Sequence, residues 1–382
     1  NYTLSKKSIN FKELFLEKYE KVTKLHSSTI IIFFIFVIFI FLEFFSVNFT
    51  FSKYHLDHLH DGNYLTPSQN YIITRNFWTS SHLTHGLSDI VYPLLMWKTF
   101  GIESIGATRT FTIFLVLLLK LLSVILSYQL TKISSLNDKS KILFFTLFTA
   151  IILSMSNYTF LGANYYISYK DIYIILFLIF FIELFVDSKF RSLSIILIST
   201  ICTITILFQI DKGAYINFIL FFYLIYLLIS KKYKDSLLII FSLIACWFIV
   251  INFFGSDEFY AFLENTKSMV ISMDWMHGLK YPDPFFSMIN NSDGARATRG
   301  LIMQITAGLF VLSYIISNES KILRSKKVLF IFLLLLSFVM YKNALGRSDA
   351  THIRDSHDMP LLINVFFILN YFLIFLEKKT IS

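Results

Sequence analysis

A chain of 382 residues that is 55% hydrophobic, only 15% charged and carries 44 Phe is too apolar for a soluble globular protein, where about 25% of residues are charged. The net charge of +9 would hint at nucleic acid in a soluble protein. Here the basic residues gather at the ends of apolar runs, where they orient helices beside anionic lipid, so no nucleic-acid partner is expected.

The mean hydropathy of +0.64 makes the bilayer the natural solvent. Cys202 and Cys246 both fall inside apolar runs, with no CxxC, which excludes a disulfide framework and a thiolate metal site.

In chain order, a lysine-rich amphipathic stretch precedes the run "IIIFFIFVIFIFLEFFSV". That run is too long for a signal-peptide core and no small-residue cleavage site follows, so it reads as a retained first span. Apolar runs of near-spanning length place helices at 28–48, 105–130, 142–156, 171–187, 192–210, 213–230, 235–254, 300–317, 327–343 and 359–376. The expected fold is therefore all-α, a single polytopic transmembrane helical bundle over 1–382 with about ten spans. The apolar segment 87–100 is short and broken by Pro93, so it is expected to be interfacial or re-entrant.

Charge sets the orientation. Segments 1–27, 131–141, 187–191, 231–235, 318–327 and 377–382 hold about 20 of the 34 Lys and Arg. Excess Lys and Arg marks cytoplasmic loops, so both termini are expected inside. The opposite face carries loops 49–104, 255–299 and 344–358, rich in His, Asp, Arg, Tyr and Gly. Loops of that kind carry function, and the first is expected to be partly helical. Nearly all charges lie at the membrane faces, which argues against a transporter with mid-bilayer ionisable groups. The Phe, Ile, Lys and Asn bias suits an AT-rich bacterial genome, so the inner (plasma) membrane of a bacterium is the expected location.

Three groups of residues could carry chemistry. In the first loop Asp57 and Asp61 are four apart, which puts both carboxylates on one face of a helix. A carboxylate there can act as general base on a hydroxyl; the plainer reading is a solvated loop. His55, His58 and His60 could, with these acids, hold a divalent metal, although the spacing matches neither the familiar zinc patterns nor the calcium loop.

Lys170 with Asp171, and Asp211 with Lys212, would be costly at membrane depth. They either line a functional cavity or pin tight turns with salt bridges. In the last loop Arg347, His352 and Arg354 suit a phosphate or pyrophosphate head group, because the guanidinium fork matches phosphate oxygens. Positive charge there would also stabilise a phosphate leaving group. Snorkelling to lipid head groups accounts for Lys342 instead. Trp275, Tyr281, Phe285 and Phe286 read as an interface belt.

The segment "HDGNYLTPSQNYI…HLTHGLSDIVYPLLMWKTFGIESIGATRTF" resembles the first extracytoplasmic loop of GT-C type membrane glycosyltransferases. "ALGRSDATHIRDS" resembles a late-loop motif in uncharacterised members of that group. By position Asp61 matches the family's acid after the first span. His85 and Gly86 match an "HG" element, and Gly101 with Arg109 the entrance to the next span.

The resemblance implies an enzyme moving a sugar from a polyprenyl-phosphate donor to a glycan, lipid or protein acceptor on the extracytoplasmic face, with inversion. It implies Asp61, or Asp57, as base, and a cavity lined by His85, Lys170, Asp171, Asp211 and Lys212. The dense "HLDHLH" before Asp61 departs from the family pattern and leaves open which acid is the base. A lipid-linked glycan polymerase or ligase is the nearest rival enzyme; a non-enzymatic metal-binding membrane protein or a transporter are the rival classes.

Overall fold

The computed structural model describes residues 31–42, 58–155, 169–186, 189–277, 293–317, 321–346 and 350–381. Every regular element among them is helical. The first is α1 (Ile31–Leu42). It is followed by α2 (His58–Thr74), α3 (Ser88–Phe100), the short α4 (Ile105–Arg109), α5 (Phe111–Ile133) and α6 (Asp138–Met155). A 3-10 turn at Tyr169–Asp171 leads into α7 (Ile172–Glu183), α8 (Arg191–Phe208), α9 (Ile210–Ile229), α10 (Tyr233–Phe254) and α11 (Ser256–His277). The chain closes with α12 (Asp293–Ile316), α13 (Lys321–Gly346), α14 (Ala350–Asp355) and α15 (Asp358–Ile381).

Seven helices among the described residues are long and apolar enough to cross a membrane: Ile105–Ile133, Arg191–Phe208, Ile210–Ile229, Tyr233–Phe254, Gly294–Ile316, Arg324–Gly346 and Ile353–Lys379. This makes the chain an all-helical membrane protein. The sequence expectation of ten spans exceeds that number. Of the first expected span, 28–48, only Ile31–Leu42 lies within the described residues, and Ile172–Glu183 is a shorter apolar helix; its 12 residues rise only about 18 Å, against about 30 Å of hydrocarbon. In α6, Asp138, Lys139 and Lys141 occupy the first turn.

The core lies between α5, α6, α7, α8, α9, α13 and α15. Aromatic rings interlock there: Phe181 meets Tyr223 and Phe332 edge-on, at 5.2 and 5.7 Å between centroids. The outside of the bundle is equally apolar. On α10 only Ser236 and Ile239 are buried, while Phe241, Phe248 and Phe253 are exposed. Such a surface suits lipid and not water.

At one end of the bundle, basic side chains close the C-termini of helices. Lys326 donates to the Ile133 carbonyl (2.7 Å) at the end of α5. Lys327 donates to the Ile315 and Ser317 carbonyls (2.8 and 2.5 Å) at the end of α12. Arg191 donates to the Leu184 carbonyl after α7 and pairs with Asp235 at 2.7 Å. Terminal carbonyls have no partner within their own helix, and cations suit the negative end of the helix dipole. The lysines and arginines that mark this face in the sequence therefore also fasten it.

The loops of the other end depart from their expected extent. The 255–299 segment contains α11 and the start of α12, and the 344–358 segment contains α14 and both flanking helix ends. The first loop is partly helical as expected, through α2 and α3, and Ser88–Phe100 is a 13-residue helix with Pro93 inside it, too short to span. A further departure is the turn "QIDKG": α8 and α9 are separated by Gln209 alone, so Asp211 and Lys212 stand in the first turn of α9.

Candidate functional site

Two backbone hydrogen bonds build the floor of the loop end. Where α8 stops and α9 starts, the Leu207 carbonyl and the Ile210 N–H have no partner inside their own helices. The segment His85–Leu87 supplies both: Leu87 N donates to Leu207 O at 2.7 Å, and Ile210 N donates to His85 O at 2.9 Å. The Gln209 amide adds a 2.7 Å bond to Ser88 Oγ. Between these bonds Gly86 has φ +113°, and a Cβ there would lie 2.5 Å from the Leu207 oxygen. Only glycine fits. The "HG" element is thus a structural clamp that fixes His85.

His85 is held from two sides. Its backbone N–H donates to Asp89 Oδ2 and its Nδ1–H to Asp89 Oδ1, both at 2.9 Å. Its Nε2 accepts from the Lys170 ammonium at 3.3 Å. A carboxylate on one ring nitrogen and an ammonium on the other fix the orientation of the imidazole. The ring also stacks on Tyr64, 6.2 Å between centroids.

The next layer is ionic. Lys212 Nζ lies 2.6 Å from Asp171 Oδ1, both side chains buried. Asp355 and Asp358, from α14 and the start of α15, interact electrostatically with Asp171 and Lys212. Asp211 interacts with Lys212, Lys170 and His85. Asp355 Oδ1 is buried with no hydrogen-bond partner.

Asp61 stands on α2, only 8% exposed. Arg109, where α4 meets α5, grips it through Nε to Oδ1 at 3.0 Å and through a terminal nitrogen to Oδ2 at 2.6 Å. Asp61 and Arg109, 48 residues apart, are therefore a bidentate pair. Tyr64, one turn beyond Asp61, packs on both His85 and Phe111, which ties this pair to the His85 layer.

Of the residues singled out in the sequence, the fold brings Asp61, His85, Lys170, Asp171, Asp211, Lys212 and Arg354 to one end of the bundle. His352 lies on α14 and His58 and His60 on the first turn of α2; their side chains fall outside the description. Asp57, His55, Arg347, Tyr281, Phe285 and Phe286 lie outside the described residues. Among the described residues, no three His, Cys, Asp or Glu side chains converge as a metal site. The metal expectation therefore rests on His55, His58 and His60.

The sequence reading missed four features. Arg299 and Arg354 act electrostatically on His357, which also bonds the backbone of Arg296, so α12 brings further cations to this end. Glu258 on α11 accepts from the N–H groups of Phe77 (3.2 Å), Trp78 (2.7 Å) and Thr79 (3.4 Å). Asn265, two turns on, bonds both backbone groups of Leu83, at 2.9 and 3.0 Å.

The fourth feature is Lys120, in the interior of the Ile105–Ile133 span, which is 1% exposed. This qualifies the expectation that charge keeps to the faces. Its signal was present in the sequence as a lone Lys within "FLVLLLKLLSVIL".

No known protein family, curated protein or solved structure matches this chain. Its function has to be argued from the site itself.

Proposed function

We propose that the chain is a GT-C type membrane glycosyltransferase that moves a sugar from a polyprenyl-phosphate donor to a glycan, lipid or protein acceptor. The observation that carries this reading is the loop-end cluster: an acid held in a bidentate grip (Asp61 with Arg109) shares one end of the bundle with the buried Lys212, the half-buried Lys170 and Arg354, drawn from distant helices. Transfer from a lipid phosphate needs such a pairing of one base with positive charge for the leaving group.

Asp61 is the base. The guanidinium fork of Arg109 fixes the orientation of the carboxylate through two hydrogen bonds. As Asp61 takes the hydroxyl proton, the acceptor oxygen bonds to sugar C1 from the face opposite the phosphate. The C1–O bond to phosphate breaks and its electron pair leaves with the lipid phosphate, so the configuration inverts. Arg354, with Arg347, His352 and the α12 arginines Arg296 and Arg299, holds that phosphate. His85, Lys170, Asp171, Asp211 and Lys212 form the cavity floor.

The same reading takes α1, α6 and α7 as crossing the membrane together with the seven longer spans, giving ten. Both termini are then cytoplasmic, the site is extracytoplasmic, and the membrane is the bacterial plasma membrane. A lipid-linked glycan polymerase or ligase would use the same groups with a larger acceptor. A transporter is the second reading, favoured by one observation, the buried mid-span Lys120, since intramembrane charge commonly marks a transport path.

Incubation of purified protein with labelled polyprenyl-phosphate sugars, with and without chelator, tests the proposal. Sugar release that survives chelator supports it. Release that stops with chelator brings the first-loop histidines into the site. No release from any donor by folded protein removes the transferase reading.

A further inference from the structure

α11 follows the span α10 with Gly255 alone between them, at φ +86°. The chain reverses at that glycine. Trp247, two turns before the end of α10, meets the rings of Phe259 and Phe262 at 5.8 and 6.1 Å between centroids. Two turns of helix are about 11 Å. No charged residue interrupts the chain between Asp235 and Asp257, so Trp247 sits at hydrocarbon depth when α10 crosses the bilayer. α11 therefore starts beside the last turns of α10, at the border of the bilayer, and does not stand above them.

Successive residues of a helix turn by about 100°, which gives α11 three faces. Glu258, Phe262, Asn265 and Met269 are buried. They hold the first loop, Glu258 through Trp78, Asn265 through Leu83 and Met269 through His82. Asp257, Glu264 and Ser268 form an exposed polar face. Tyr260, Leu263, Val270 and Ile271 share a third sector, about 100° wide. All four are exposed, Ile271 at 71%. Lys267 stands in the same sector, and its ammonium lies 3.6 Å from Glu264. A lysine whose stem lies along an apolar layer carries its charge to the water side in this way.

A helix on the surface of a soluble protein has one apolar face, turned to the core. α11 has two, and its charge is confined to the sector away from α10. Phe259, which meets Trp247, borders the exposed apolar sector. That sector adjoins the exposed surface of α10, where Ile249 and Phe253 face outward. Lipid covers a spanning helix on such a surface, and the reversal at Gly255 brings the sector to the same depth. An exposed apolar face with a polar face opposite the bilayer is the pattern of a helix that lies in the membrane surface.

We infer that α11 is an interfacial helix whose exposed apolar sector, Tyr260, Leu263, Val270 and Ile271, beds in the lipid of the leaflet beside α10. It anchors to the membrane surface the wall that holds the segment Trp78–Leu83. The inference needs the chain to span a bilayer and does not rest on the transferase reading.

The test is fluorescence quenching on the full chain in phosphatidylcholine nanodiscs, with Cys202→Ala and Cys246→Ser as background. Leu263→Cys and Val270→Cys place an environment-sensitive fluorophore in the apolar sector; Asp257→Cys and Ser268→Cys place it on the polar face. All four positions are exposed, and Tyr260→Cys or Ile271→Cys replaces either apolar variant that fails to fold. Lipid carrying a nitroxide near the top of its acyl chain should quench at 263 and 270 at least twice as strongly as at 257 and 268. Iodide, which quenches from water, should show the reverse order. Equal quenching of all four positions by each agent overturns the inference and puts the sector in water. Protection of 263 and 270 from both agents also overturns it, because a second copy of the chain or another protein then covers the sector.

Discussion

Lys212 and Asp171 form a buried ion pair, 2.6 Å between Nζ and Oδ1, that joins the first turn of α9 to the entrance of α7. Asp355 and Asp358 lie in its field, so the lysine is the local counter-charge for more than one acid. Removing one partner of a buried pair leaves an uncompensated charge and costs about 3–5 kcal/mol. Lys212→Met should therefore lower the melting temperature markedly. Lys212→Met combined with Asp171→Asn should cost less than the sum of the single changes, which a double-mutant cycle of thermal unfolding checks.

Gly213 faces the same hairpin from inside. A Cβ there would lie 2.3 Å from Ile206 Cα and 2.5 Å from Ile206 N, both backbone atoms that cannot rotate away. Gly213→Ala should push α8 and α9 apart, pulling Leu207 and Ile210 from their bonds to the His85 segment. The expected result is loss of folded protein or a clearly lower melting temperature. Gly308→Ala, with nothing near its added carbon, should be tolerated.

Glu258 holds three consecutive N–H groups of the first loop. Hydrogen bonds to a charged group are worth about 1.5–3 kcal/mol each. Glu258→Ala should free residues 76–84 while sparing the bundle. Hydrogen exchange read by mass spectrometry should rise in those residues and stay unchanged in α7 and α9; uniform protection would contradict the assigned role.

The ends of the bundle can be told apart by labelling. Ser256 and Ser230 are both exposed, at opposite ends of α10. On intact cells an impermeant maleimide should modify Ser256→Cys at once and Ser230→Cys only after lysis. The reverse pattern would place the proposed site in the cytoplasm and remove a lipid-linked extracytoplasmic donor from the account.

Much of this was legible in the sequence because a bilayer imposes a coarse and strict pattern. Long apolar runs announced the helices, and polar residues at their ends announced Asp61, His85, Lys170, Asp171, Asp211 and Lys212. What stayed hidden was pairing. Asp61 and Arg109 are 48 residues apart, and Glu258 meets Phe77 across 181; nothing local in either segment names its partner.

The sequence of α11 reads as loop because Asp257, Glu258, Glu264 and Lys267 dilute its apolar residues, although Phe259, Phe262 and Met269 recur at helical spacing. The break between the expected spans 192–210 and 213–230 falls inside α9 for a related reason. Hydropathy falls at Asp211 and Lys212, but their backbone is already helical and their charges are satisfied by tertiary partners.

Arg109 grips both oxygens of Asp61. Lysine keeps the charge but loses the fork. Arg109→Lys should therefore fold normally and slow transfer at least tenfold, with most of the loss in kcat because the base is misaimed rather than removed.

In the proposed reaction Asp61 takes the acceptor proton. The most direct measurement is single-turnover transfer from a labelled polyprenyl-phosphate sugar by Asp61→Asn. Its folding is checked by thermal unfolding and its donor affinity is measured separately. The account predicts a folded protein that still binds donor and transfers at least a thousandfold more slowly. Transfer within a fewfold of the unaltered chain would contradict it.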